Sequence, residues 1–191
     1  VPTDKVLPDP ETSANTLWNI VLASEIAATT SSGAQVLSDL GLSMTFDTEN
    51  PLVLDYLRHK ELRVKTIPGE LYKELRAELL AGNAAGEPIE RISERVSSVY
   101  EDVKGYRARR IAQTEIVGAY NVGNIAGMDI AGVAQKEWVA TLDDRVRDTH
   151  ADVHGEQVGI GEEFSNGLQF PGDPLGEAGE VINCRCTVVA V

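Results

Sequence analysis

An α+β fold, with a mainly α-helical N-terminal body and a small loop-rich α+β C-terminal module, is predicted by three observations on this 191-residue chain. Apolar residues recur at steps of three and four ahead of Gly132, as in Ile89, Ile92, Val96, Val99 and Val103, which is helical periodicity. Glycine and proline then thicken: residues 155–180 hold seven glycines together with Pro171 and Pro174, the composition of ordered loop. Short runs at Lys136–Ala140 and Thr187–Val189 carry the alternation and β-branching of strands. The expected division is an extended arm over 1–12, a helical body over 13–132 and the module over 133–191.

Each element has a local reason. Pro2, Pro8 and Pro10 give the arm its extended character, and Val1 marks a trimmed terminus or a piece of a longer chain. Leu17, Ile20, Val21, Ser24 and Ala28 are helically spaced behind Ser13 or Asn15 as N-cap. The run Thr29–Gly33 either breaks that helix or passes through it as a small-residue face, and Gly41 is placed to cap it. Asn50-Pro51 starts a second helix and Pro68 a third, with Leu71, Leu75, Leu79 and Leu80 on one side. Pro88 opens the Ile89–Val103 stripe. Residues 106–131 form the longest periodic stretch, whose Gly118, Gly123 and Gly127 allow another backbone to approach closely. In the module, Asp143–Val153 suits a short helix, and Val181-Ile182 is strand-like.

Charge excludes one class of function. The net charge is −13, and the acids gather at both ends: residues 1–50 have seven against one lysine, and residues 151–191 seven against one arginine. Such a chain has no field for wrapping duplex DNA. A local contact near Arg107, Arg109 and Arg110 stays open, although a solvated helical face accounts for that cluster more simply. The most apolar stretch, Leu17–Ala28, is short and interrupted by Asn19, Ser24 and Glu25, so no membrane span or signal peptide is expected.

The chain's two cysteines, Cys184 and Cys186, stand one residue apart, and two of its three histidines, His150 and His154, lie about thirty residues upstream. Cysteines at i and i+2 of a strand face one side without disulfide geometry, so this is no disulfide scaffold. In the same stretches come Arg110-Ile-Ala-Gln-Thr-Glu115 with Ala119, Asn121 and Gly123; Lys136-x-Trp138; Asp144-Arg145-x-Arg147-x-x-His150; Gly155; Phe164; Pro171-Gly-Asp-Pro174; and Ile182-Asn-Cys-Arg-Cys186. In this order these elements resemble the phage Mu protein F-like, or phage head morphogenesis, family of minor head proteins. Ile116 and His154 depart from its usual pattern, His154 standing where Asp or Asn is common.

The resemblance implies a minor capsid protein of a tailed bacteriophage, located in the virion, associated with the portal vertex and acting in head assembly or genome ejection. Its implied partners are the portal protein and/or the major capsid protein, with self-association open. Three chemistries compete for the motif residues. One is a structural polar network of Glu115, Asp144, Arg145, Arg147, His150 and Asn183, with the cysteines as small buried hydrophobes and no cofactor. Another is a zinc clip formed by His150, His154, Cys184 and Cys186, with both imidazoles on one helical face. The third is catalysis, as a metal-dependent nuclease or an effector enzyme delivered with the genome, using His150, Asp144, Glu115 or Cys184. The chain has no serine elbow, P-loop, His-Glu-x-x-His or Gly-x-Gly-x-x-Gly, so the expectation is a non-enzyme built on the polar network.

Overall fold

The computed structural model describes residues 10–85, 87–88, 91, 94–95, 98–99 and 106–191. Helices α1 (Pro10–Asp39), α2 (Pro51–Val64), α3 (Ile67–Ala84) and α4 (Ala108–Ile130) precede β1 (Gln135–Val139), α5 (Asp148–Asp152), β2 (Gln157–Gly159), α6 (Ala178–Val181) and β3 (Thr187–Ala190). The α+β class is as predicted. Helix α1 begins at Pro10, inside the expected arm, and residues 1–9 lie outside the described residues. At 30 residues α1 is longer than the 23-residue α4, which periodicity had ranked first. Of the Ile89–Val103 stripe, only Val99 falls among the described residues, in a helical turn.

The helix ends follow capping chemistry. Asn50 Oδ1 accepts the Leu52 amide at 2.9 Å with Pro51 as the first helical residue, which opens α2. At the end of α1 the Leu42 amide reaches Leu37 O, the Gly41 amide reaches Ser38 O, and Gly41 adopts φ +73°. This is the glycine-terminated cap expected there.

Two compact units interleave along the chain, Val1–Ile20 with Glu61–Arg110, and Val21–Lys60 with Ile111–Val191. The division between these units runs through α1, α2 and α4.

In the first unit Ala14, Trp18 and Val64 are buried, and Arg95 is clamped by Glu87 (2.7 Å) and Glu78 (2.9 Å). The basic cluster lies here too. Arg107 donates to Glu74 at 2.7 Å, Arg110 stacks 5.3 Å from the Tyr106 ring centroid, and Arg109 is exposed.

The second unit holds the sheet, antiparallel throughout in the order β2-β1-β3, with Trp138 opposite Val188 and Lys136 opposite Val158 and Ala190. Trp138 is fully buried beside Phe164, Val188, Val153, Ala140 and the α4 residues Ala119, Val122, Ile125 and Met128. Burying side chains of this size contributes about 1.5–3 kcal/mol each, so this cluster is the main support of the module. Thr29–Gly33 runs through α1 without a break. A Cβ on Gly123 would lie 2.0 Å from Ser32 Oγ and 2.5 Å from Thr29 O, so α1 and α4 touch nearly backbone to backbone. Thr29 Oγ1 donates to Ala119 O at 3.3 Å across that contact.

Two local expectations fail. Val181 closes the short α6 where a strand was expected, because the Val181 and Ile182 amides bond back to Glu177 and Ala178. The loop region also contains β2, whose three residues carry no strand pattern of their own and are held by the β1 ladder.

Candidate functional site

α5 is a single helical turn following the extended Arg147, and it turns His150 into the module, where the ring is 1% exposed. The imidazole and the Trp138 ring meet in a T-shaped contact, with centroids 5.1 Å apart and planes at 78°. From the opposite direction the chain leaves α6 and reverses at Asn183, which takes the left-handed φ of 60° and donates its amide to Thr114 Oγ1 at 2.8 Å. That turn sends Cys184 and Cys186 to one side and Arg185 to the other. Both sulfurs are buried and approach His150 Nδ1, Cys184 Sγ at 3.6 Å and Cys186 Sγ at 3.5 Å. The three ligand atoms all lie within 4.8 Å of one another.

The far side of the ring is also occupied. His150 Nε2 lies 3.2 Å from Glu180 Oε2, but off the angle of a hydrogen bond, and Thr149 Oγ1 holds that carboxylate at 2.7 Å. Arg185 forms a two-pronged ion pair with Asp143, and Thr141 Oγ1 donates to Arg185 O at 2.7 Å. The Arg185 guanidinium keeps the Asp143 carboxyl well below the usual carboxylate range. The two thiols differ in acidity. Cys186 is driven down by the neighbouring Cys184 thiol and by His150, while Cys184 is driven up by Cys186 and by burial.

These positions separate the residue sets expected from sequence. His154 leaves the proposed ligand group because α5 ends at Asp152, so the i, i+4 relation to His150 is not helical. His154 is exposed and its Nδ1 accepts the Ala140 amide at 3.2 Å. The six-residue polar network does not assemble either. Asp143, not Asp144, engages arginine; Asp144 is exposed; and Arg145 lies 3.8 Å from Asp143 in solvent. Arg147 donates to Ile182 O at 2.5 Å, and Asn183 uses its backbone.

Glu115 belongs to a second buried centre, which sequence reasoning missed. Lys60 Nζ lies 2.8 Å from Glu115 Oε2, and Tyr56 O–H donates to Glu25 Oε2 at 2.8 Å; Lys60, Tyr56 and Glu25 are all at most 3% exposed. Burial raises the Glu25 carboxyl to about 9, against the opposing pull of Lys60 and reinforced by a hydrogen bond to Glu115. Tyr56 is raised as well, by burial and then by the two carboxylates. The available signal was Glu25 interrupting an apolar helical face, with Tyr56 and Lys60 one helical turn apart.

Asn121 ties α4 to the motif loops. Its Nδ2 donates to Val117 O (3.0 Å), Pro171 O (2.9 Å) and Cys186 O (3.1 Å), and its Oδ1 accepts Thr187 Oγ1 (3.0 Å) and the Val188 amide (3.1 Å). The Pro171–Pro174 loop is braced by buried Asp173, which accepts the Gln169 and Leu175 amides. Gly172, at φ +88°, comes so near α4 that a Cβ there would lie 2.7 Å from Gly118 Cα. Lys136 is fully buried, donates to Ile160 O at 2.9 Å, and is lowered to about 8 by burial.

Comparison with known proteins bears on this motif region. The family model described as Phage Mu protein F like protein matches residues 73–189. The chain is also 34% identical over 119 residues to the NAD(+)–arginine ADP-ribosyltransferase EFV of Enterococcus faecalis, a match covering 59% of this chain and 23% of that protein. The chain thus spans about a quarter of the length of this relative. No solved structure matches. The ADP-ribosyltransferase match overturns the non-enzyme expectation: the absence of familiar catalytic motifs was its basis, and a polypeptide named for an enzymatic activity carries a related sequence. Among the described residues no helix is long and apolar enough to cross a membrane.

Proposed function

The chain belongs to the phage Mu protein F-like family, and from that premise we propose that it is a minor head protein acting at the portal vertex, in head assembly or genome ejection. The family is one of phage head proteins, and the virion is its place of residence. The observation that carries the proposal is the family match over residues 73–189, which takes in α4, the sheet, Pro171–Pro174 and the Cys-x-Cys segment. The buried bracing by Asn121 and Asp173 supports it, because it makes the motif region a rigid platform of the kind a docking protein needs. The partners in this reading are the portal protein and/or the major capsid protein, and no direct DNA packing is assigned to so acidic a chain. The test is to purify heads from cells producing the phage that carries this gene. The chain is expected in heads at low copy and cross-linked to the portal subunit. Heads of normal yield and infectivity without it would defeat the proposal.

The Enterococcus faecalis relative favours a second reading, in which the chain is part of an effector delivered with the genome and linked to transfer of ADP-ribose from NAD to arginine. Labelled NAD, incubated with the longest natural polypeptide that contains this chain and an arginine-bearing acceptor, separates the two readings. Transfer of label to arginine supports the effector, and absence of transfer removes it.

A further inference from the structure

We propose that His150 Nδ1, Cys184 Sγ and Cys186 Sγ bind one zinc ion, with Glu180 as the carboxylate partner of His150 and water as the fourth ligand. The distances carry the first part. Zn–S of about 2.3 Å and Zn–N of about 2.0–2.1 Å at a tetrahedral ion place each sulfur about 3.5–3.6 Å from the nitrogen. The observed separations from Nδ1 are 3.5 Å to Cys186 and 3.6 Å to Cys184. Both sulfur–nitrogen separations are those that a tetrahedral zinc ion would impose. A simple thiol–imidazole hydrogen bond accounts for one such contact, whereas a single Nδ1 pairs with only one S–H at a time.

The surroundings supply what a metal ligand requires. A ligating histidine usually directs its other ring nitrogen at a carboxylate, which sets its tautomer; His150 Nε2 lies 3.2 Å from Glu180 Oε2 and, among the described residues, makes no hydrogen bond in this arrangement. Glu180 is itself held by Thr149. Two thiolates, a neutral imidazole and Zn²⁺ sum to zero charge, which suits residues that are at most 5% exposed. On binding, both thiols release their protons to solvent and two Zn–S bonds form. Beside the sulfurs is a recess of about 10 Å³ lined by Thr141, Arg147, Asn183 and Arg185, with room for a single water. Three protein ligands and one solvent position define an open zinc site in place of the four-ligand clip that includes His154.

The test is metal analysis of the reduced 191-residue chain, followed by X-ray absorption at the zinc edge. One equivalent of zinc with two sulfurs and two lighter atoms in its shell is expected, with Kd in the nanomolar range or tighter by competition with a chelator. Substituting Co²⁺ should produce the thiolate charge-transfer band, giving a readout that needs no variant. His154→Ala should keep the full equivalent, and Cys184→Ser should lose it. Glu180→Gln should keep the stoichiometry and weaken binding about 10–100-fold, the effect of a positioning residue. A reduced, folded chain that binds no zinc, or binds it only micromolar or weaker, overturns the proposal. So does a zinc shell lacking two sulfurs, or one equivalent lost in His154→Ala.

Discussion

His150, Cys184 and Cys186 meet inside one short stretch of chain, residues 150–186, whereas Glu25, Tyr56, Lys60 and Glu115 are gathered from α1, α2 and α4. Both centres lie in the same compact unit and both are buried. They solve burial differently. The sulfur–imidazole centre uses soft groups that are cheap to desolvate, and it fits a cation. The carboxyl–lysine centre uses costly groups and neutralises them internally, with one ion pair and one carboxyl held protonated by burial. Sensitivity should divide accordingly, to metal and thiol reagents on one side and to pH on the other.

The largest expected effect breaks the ion pair. Lys60→Met leaves Glu115 without its cation and should cost about 3–5 kcal/mol in denaturant unfolding, since removing one partner strands a buried charge. A cost below about 1 kcal/mol would mean that the pair is not a buried one in solution. Asn121→Ala comes next. It removes the donor to Cys186 O and Pro171 O and the acceptor of the Val188 amide, leaving buried backbone groups unpaired at a total of about 2–4 kcal/mol. Because Asn121 braces the Cys-x-Cys segment, the loss should appear as faster amide exchange in β3, and unchanged exchange there would remove the hub role.

pH sharpens the contrast. Glu25 is raised from 4.5 to about 9 in the folded chain, so the folded state binds the extra proton between those limits. Its contribution is therefore complete below about pH 4.5 and falls as pH rises toward about 9, by at most about 1.4 kcal/mol per pH unit. Glu25→Gln keeps an acceptor for Tyr56 and should flatten this slope, becoming more stable than the natural chain at pH 8. Parallel slopes in the two proteins would show that Glu25 ionises normally. The smallest effect belongs to His154→Ala, which deletes one exposed acceptor of the Ala140 amide and should change stability by no more than about 1 kcal/mol. A larger loss would return His154 to the centre.

How much was legible follows from which residue types carry each centre. Cysteine and histidine are scarce here, so their clustering near the C-terminus stood out. Their i, i+2 spacing put both thiols on one side, as the structure has them. The helix starts at Asn50-Pro51, the Gly41 cap and the small-residue face at Gly123 were equally visible, because capping and close approach depend on local chemistry. Glu25, Tyr56 and Lys60 are common surface types, and each looked ordinary until three helices brought them together. Glu115 shows the same limit: its place in a motif was legible, but its partner lay across the fold.

By itself, then, the sequence determined the helical body, the β1 and β3 strands, the family and the pairing of two thiols, since periodicity, capping and i, i+2 geometry are local. Only the tertiary structure decided that α5 stops before His154, that Asp143 grips Arg185, and that Glu25 is buried against Tyr56 and Glu115. Each of those outcomes depends on the end of an element or on a neighbour far along the chain, and burial, which sets the protonation of a carboxyl, exists only once the helices have packed.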